Sequence, residues 1–287
     1  MFPESRSRVE KKDNKEFEII CRIKLGRHGE KDEKEDLTPE GVADAENYGN
    51  RLEMEGVVHE LTSDIPRAKM TGDLIFDKLM SKGGVKRGSE LWADILNVKK
   101  VQASADREEN HQTYIDIFKK YIADQVERLK QEEKRDPTPK EMKDFVRAAN
   151  AAGVKENLRD SVYVENAASR FCYLLNVLVE WVKSATSIKV QREMVNFITV
   201  SHGSMLESFL KKTLIRKQGD VAIKGFEDVE EIGGVMEPTE FFEIDVMRNG
   251  EGEVKIKVNF DDPRRAANTE CELDIEEIRR LAQLYKK

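Results

Sequence analysis

Apolar residues recur along this chain with two different periods, and the changes between them divide it into alternating segments. Residues 17–25 form an apolar-rich run with several Ile and a Phe, which predicts a strand ending at Gly26. Thr38-Pro39-Glu40 supplies a hydroxyl cap, a proline for the first helical position and an acid for the first turn, so a helix is predicted to about residue 55. Residues 57–61 predict a short second strand, followed by Thr62-Ser63-Asp64, a turn at Pro66-Arg67 and a helix through residue 79. Gly83-Gly84 breaks that helix, and a short strand is predicted near Val85-Lys86. From 108 to 184 the pattern is helical: Ile115, Phe118, Ile122 and Val126 recur at helical spacing, Pro137-Thr138-Pro139 interrupts, and 162–182 forms an apolar helix with Phe171, Leu175 and Trp181. Residues 194–200 predict a buried strand that ends in Ser201-His202-Gly203 and leads into a helix to about 212. Residues 239–247 and 253–260 flank Arg248-Asn249-Gly250-Glu251-Gly252 as a hairpin, and 274–285 predicts a closing helix.

Strands alternating with helices predict an α/β fold, with a helical insertion at about 108–184 and a hairpin near the C-terminus. Residues 1–15, dominated by charged and polar side chains, are expected to be a poorly ordered tail ahead of one domain over 16–287. Charged residues make up 37% of the 287 and the net charge is -7, which argues against a general nucleic-acid or anionic-membrane binder. The three cysteines are scattered and lack CxxC spacing, so buried thiols in a reducing compartment are expected. No apolar run approaches a bilayer span and the N-terminus lacks a secretory apolar segment, so the expected location is the cytoplasm.

Three predicted strand ends present Arg27-His28, Arg67 and His202. Ligands in open α/β sheets bind beyond the carboxyl ends of parallel strands, and two arginines with two histidines suit a phosphate dianion. Guanidinium makes bidentate, charge-assisted bonds to phosphate oxygens. A neutral imidazole can attack phosphorus and carry the phosphoryl group, while the second stabilises its charge. The leaving oxygen then needs a proton from a carboxylic acid.

Arg27-His28-Gly29-Glu30, Leu37-Thr38-Pro39-Glu40-Gly41, Ser63-Asp64-Ile65-Pro66-Arg67-Ala68 with Thr71, and Val200-Ser201-His202-Gly203 occur in the order found in the histidine phosphatase superfamily, which the chain resembles over about 19–71 and 196–209. The resemblance implies a three-layer αβα sandwich on a mostly parallel sheet. It also implies a phosphohistidine on His28, a phosphate pocket of Arg27, Arg67 and His202, and neither metal nor other cofactor. The proton donor of that family lies between the second arginine and the insertion. Here Glu90 and Asp94 are the candidates, and Glu90 is preferred as nearest the predicted strand end.

The expected activity is therefore a phosphomonoesterase acting on a small phosphorylated substrate or a phosphoprotein. A phosphoglycerate mutase-type phosphotransferase and a non-catalytic phosphate-binding or interaction module are the alternatives. A metal hydrolase on His28, Glu30, His59 and His202 has no supporting ligand spacing. His59 and His111 are expected to be structural or exposed.

Overall fold

The computed structural model describes residues 17–32, 34–92, 96, 108–159, 161–185, 194–265 and 269–285. The expectations for residues 1–15 and for Asp94, and those for the side chains of His111 and Trp181, lie outside the described residues.

The first apolar run forms β1, Phe17–Arg27, with Cys21, Ile23 and Leu25 buried on one face. Arg22 and Lys24 alternate to the other face and pair with Asp245 (2.8 Å) and Asp261 (2.9 Å). The remaining strands are β2 (Gly56–Thr62), β3 (Val85–Trp92), β4 (Val195–Ser201), β5 (Leu214–Gln218), β6 (Val221–Lys224), β7 (Phe241–Asn249), β8 (Val254–Phe260) and β9 (Glu270–Leu273). They form one sheet in the order β3-β2-β4-β1-β7-β8-β9-β5-β6. The sheet is parallel from β3 to β1 and antiparallel from β7 outward. The expected hairpin is β7–β8, but the antiparallel half also includes β5, β6 and β9, which the sequence pattern did not predict.

The described helices are α1 (Pro39–Arg51), α2 (Pro66–Ser81), α3 (Glu108–Glu132), α4 (Pro139–Asn157), α5 (Ser161–Ala185), α6 (Gly203–Thr213) and α7 (Ile275–Tyr285). On one face of the sheet, Ala45 of α1, Leu52 just after it, and Ile75, Phe76 and Leu79 of α2 close over Val58, Ile198 and Val200. On the other, Phe171 and Leu175 of α5, Phe209 of α6 and Leu281 of α7 close over Ile23, Leu25 and Ile244. This makes three layers, and each fully buried large apolar side chain contributes about 1.5–3 kcal/mol. None of the helices, among the described residues, is long and apolar enough to cross a membrane. All three cysteines are buried and free.

Two features differ from the sequence reading. The third helix of the stretch read as an insertion, α5, belongs to the core, because its apolar stripe at Phe171, Cys172, Leu175 and Val179 packs on the sheet side. Helices α3 and α4 pair with one another, and the end of α4 reaches the same core through Val154. Strand β3 does not stop near Lys86. It continues in parallel register with β2, pairing Glu60 with Glu90 and Thr62 with Trp92, so Glu90 lies inside the strand and not beyond its end.

That register places Glu60, which is 1% exposed, in the neighbourhood of Glu90 and Asp73. Burial, then the charges of Asp73 and Glu90, push its carboxyl up to about 8. The folded protein thus holds a proton that the unfolded chain releases near pH 4.5, and stability falls as pH rises from there towards 8. Glu60→Gln is expected to raise the melting temperature at pH 8 and to have little effect at pH 4.5. Thermal unfolding at the two pH values checks this, and an equal effect at both would contradict it.

Candidate active site

Strand register builds the site. Arg27 at the end of β1 pairs with Ser201 at the end of β4, and Thr62 at the end of β2 pairs with Val200. His28 and His202 therefore leave adjacent strand ends side by side, with ring centroids 5.1 Å apart in an edge-on arrangement. Backbone bonds continue past the strands: the His28 amide donates to Ser201 O (3.0 Å) and the Ser63 amide to Val200 O (3.1 Å). Arg67 enters from the first turn of α2. The structure thus brings Arg27, His28, Arg67 and His202 together.

Close backbone packing explains the glycines of the first motifs. A Cβ on Gly41 would stand 2.4 Å from Glu30 O, and one on Gly29 would stand 2.9 Å from Gly41 O. The loop after β1 therefore lies directly on the first turn of α1, whose N-terminus is capped by Thr38 Oγ1 accepting from the Gly41 amide (3.0 Å). Thr71 fastens the same loop to α2, accepting from the Gly29 amide (3.0 Å) and donating to Arg67 O (2.7 Å). Gly41→Ala is expected to cost about 1–3 kcal/mol, as overpacking against backbone does. Chemical denaturation would show it, and an unchanged midpoint would contradict the packing.

The hydrogen bonds fix the tautomer of His28. Its Nδ1 lies 2.7 Å from Gly29 O, and since a carbonyl only accepts, Nδ1 carries the proton. Nε2 is then the lone-pair nitrogen, and Arg67 Nε donates to it at 3.0 Å. His202 Nε2 lies 3.4 Å from Ser63 Oγ, while its buried Nδ1 has no partner among the described residues. Arg27 Nη1 donates to Met236 O (2.5 Å), and its buried Nε also lacks a partner among them. Two unsatisfied buried polar atoms within this group of side chains favour a polar ligand there. Met236 is held in turn by the fully buried Glu207, which accepts its amide at 2.7 Å. The Thr239 amide, in a left-handed conformation (φ 58°), reaches His28 O at 3.3 Å.

Burial holds both imidazoles well below their ordinary value near 6.5. For His28 the charges of Arg27 and Arg67 add to burial, and for His202 those of His28, Arg67 and Arg27. Both rings are neutral at pH 7, so the two guanidiniums supply the positive charge. The side chain of Glu35 approaches one of them: its Oε2 accepts from Arg67 Nη1 (2.9 Å), and its carboxyl is held down at about 2 by Lys31 first and then Arg67.

Glu90 is not among these groups. Its carboxylate is 3.1 Å from Lys69 Nζ, on the α2 side of β3. Glu30 and Glu40 are tied to Lys143 of α4, which anchors the α3–α4 hairpin beside the motif loop. His59 accepts from the Ser89 amide (2.9 Å) and stacks on Phe197, away from the two site histidines. Among the described residues no group of three or more His, Cys, Asp or Glu is arranged to hold a metal ion. The sequence reading missed Glu35, Glu207 and Thr239. Ser63 was visible in its strand-end position but carried no assigned role.

No family model matches the chain, and no curated protein matches it in sequence. Among solved structures it is similar to the phytase of Hafnia alvei in complex with myo-inositol hexakis sulphate, at 11% identity over 91% of each chain with a TM-score of 0.48. It is also similar to a mycobacterial glucosyl-3-phosphoglycerate phosphatase, at 13% identity over 83% of this chain and 97% of that one, TM-score 0.39. A third is a phosphoserine phosphatase from Entamoeba histolytica in complex with 3-phosphoglyceric acid, at 11% identity over 85% and 98%, TM-score 0.33.

Proposed function

We propose that this chain is a phosphomonoesterase of the histidine phosphatase superfamily that works through a phosphohistidine on His28. The observation that carries the reading is the state of that ring. Its Nδ1 proton is committed to Gly29 O, so its Nε2 lone pair points into a pocket formed with Arg27, Arg67 and His202.

The steps follow from the geometry. A phosphate monoester dianion takes the Arg27 and Arg67 donors, which satisfies the open Arg27 Nε. Its negative charge pulls the pKa of His202 back up, favouring a donated hydrogen bond to a phosphoryl oxygen. Arg67 Nε turns from His28 Nε2 to a phosphoryl oxygen, the freed Nε2 lone pair attacks phosphorus, the N–P bond forms, and the P–O bond to the leaving group breaks as an acid protonates the departing oxygen. Water then attacks phosphorus and gives a proton to the same carboxylate. The N–P bond breaks, releasing inorganic phosphate and restoring neutral His28.

Glu90 is engaged by Lys69 within β3, so the donor in this reading is Asp94, which follows the last residue of that strand by two positions. Asp94→Asn is expected to slow hydrolysis of an alkyl phosphate by about a hundredfold. A p-nitrophenyl ester, whose leaving group needs little protonation, should lose much less. Equal loss on both substrates, or a larger loss from Glu90→Gln, would return the role to Glu90.

The neutral histidines also predict a titration result. The imidazole signals of His28 and His202, identified by substitution, should remain those of neutral rings as pH is lowered through 6.5. The unfolded chain takes up those protons first, so stability is lost as pH falls below that value. Titration of either signal at or above 6.5 would contradict the burial argument.

A further inference from the structure

Glu35 lies on the loop between β1 and α1, and no motif singles it out. The loop is a built turn. Lys31 and Leu37 form an isolated antiparallel bridge, the Asp32 amide donates to Asp36 O (2.8 Å), and the amides of Lys34 and Asp36 donate to Asp32 Oδ1 (2.8 and 3.0 Å). Near its tip Glu35 adopts φ 71°, a left-handed conformation that is strained for a residue with a side chain. The result of that conformation is a carboxylate turned back towards the pocket. Its Oε2 accepts from Arg67 Nη1 at 2.9 Å and its Oε1 from Lys31 Nζ at 3.0 Å.

Arg67 is the group whose Nε reaches His28 Nε2 at 3.0 Å. Its side chain is only 7% exposed, whereas that of Glu35 is 45% exposed. The carboxylate therefore sits at the solvent end of a buried guanidinium, on a donor that an incoming phosphoryl oxygen needs. We propose that Glu35 is an internal competitor for phosphate: it holds the outer N–H of Arg67 in the free protein and is displaced when a phosphate dianion binds. The proposal rests on the reading of this pocket as a phosphate site.

Its consequence is selectivity by charge. A dianion gains more from Arg67 than the carboxylate it displaces, because it brings twice the charge to the same guanidinium. A monoanionic ligand, such as a phosphodiester, exchanges one single charge for another and gains little. The device thus favours phosphomonoesters over diesters without any contact to the rest of the substrate.

The test is calorimetric titration of inorganic phosphate at pH 8 into the full chain, for wild type, Glu35→Gln, Glu35→Gly and Arg67→Ala. Glu35→Gln removes the charge at constant size, and Glu35→Gly removes it while relieving the backbone. Both are expected to bind phosphate about two- to fivefold more tightly than wild type, the scale of a partly exposed ion pair. With p-nitrophenyl phosphate the gain should fall in KM. Unchanged or weaker binding in both variants would overturn the proposal while Arg67→Ala still reports on the pocket. A hundredfold drop in kcat on an alkyl phosphate in Glu35→Gln, with phosphate binding unchanged, would also overturn it by making Glu35 the proton donor. If no variant and no wild type binds phosphate, the phosphate-site reading itself fails and takes the proposal with it.

Discussion

His28→Ala is expected to lower turnover of an aryl phosphate by at least about ten-thousandfold, since in the proposed mechanism it removes the nucleophile and not a supporting contact. The expectation rests on geometry around one ring. The His28 amide is fixed to Ser201 O (3.0 Å), its carbonyl receives the Thr239 amide (3.3 Å), and its Nδ1 proton is spent on Gly29 O (2.7 Å). Only Nε2 is left with a lone pair. Alanine keeps the backbone bonds, so the variant should fold with a melting temperature close to that of wild type. Direct attack by water on the bound ester would bypass His28, and retention of even a tenth of the activity would favour that route. The comparison is made at saturating substrate, so that weaker binding is not mistaken for slower chemistry.

The second large effect is expected at Arg67. Its guanidinium serves two partners at once, with Nε on His28 Nε2 (3.0 Å) and Nη1 on Glu35 (2.9 Å). Arg67→Ala should reduce kcat/KM by about a thousandfold, the upper range for loss of one preorganised donor to a developing charge. Arg67→Lys should recover little of it, because an ammonium offers no planar fork to span the nucleophile and a phosphoryl oxygen together. The same substitutions should abolish calorimetric phosphate binding at millimolar concentration. A lysine variant with near wild-type kcat/KM would mean that Arg67 supplies charge alone.

The histidines and arginines of this site were legible because each lies at or shortly after a strand end, and strand ends are marked by short-range signals. The apolar run to Leu25 and the run to Val200 predict two parallel strands whose ends carry His28 and His202. Register then needs no further information: pairing Arg27 with Ser201 sets the two rings side by side. The motif glycines are points of close packing within the chain itself, as Gly41 against Glu30 O shows. Gly26 has the same logic, since a Cβ there would stand 2.3 Å from the ring of Phe241, which itself stacks on Tyr48.

What stayed hidden depends on long-range pairing. Strands β5, β6 and β9 are short, and β6 is exposed along its whole length. They take strand form through ladders with one another and with β8, which no local pattern announces. The length of β3 was misjudged for the same reason: Lys86, Arg87, Gly88 and Ser89 have no apolar period, and the strand is held by its register with β2. That misjudgement moved Glu90 to the strand end and made it the preferred donor, although its place is beside Lys69. Glu35 was invisible because its role follows from a left-handed backbone conformation and a turn organised by Asp32. Charged loop residues of that kind are plentiful in this sequence and give no signal of their own.

The measurement that tests the central claim most directly is a rapid alkaline quench during turnover, with mass spectrometry of the digested chain. Phosphohistidine survives alkali and is lost in acid, whereas an acyl phosphate behaves in the opposite way. The account predicts one phosphoryl group on the peptide carrying His28, absent from His28→Ala and lost on acid treatment. A phosphoryl group on any other residue, or an active enzyme with no phosphorylated peptide under conditions where Asp94→Asn slows its hydrolysis, would contradict it.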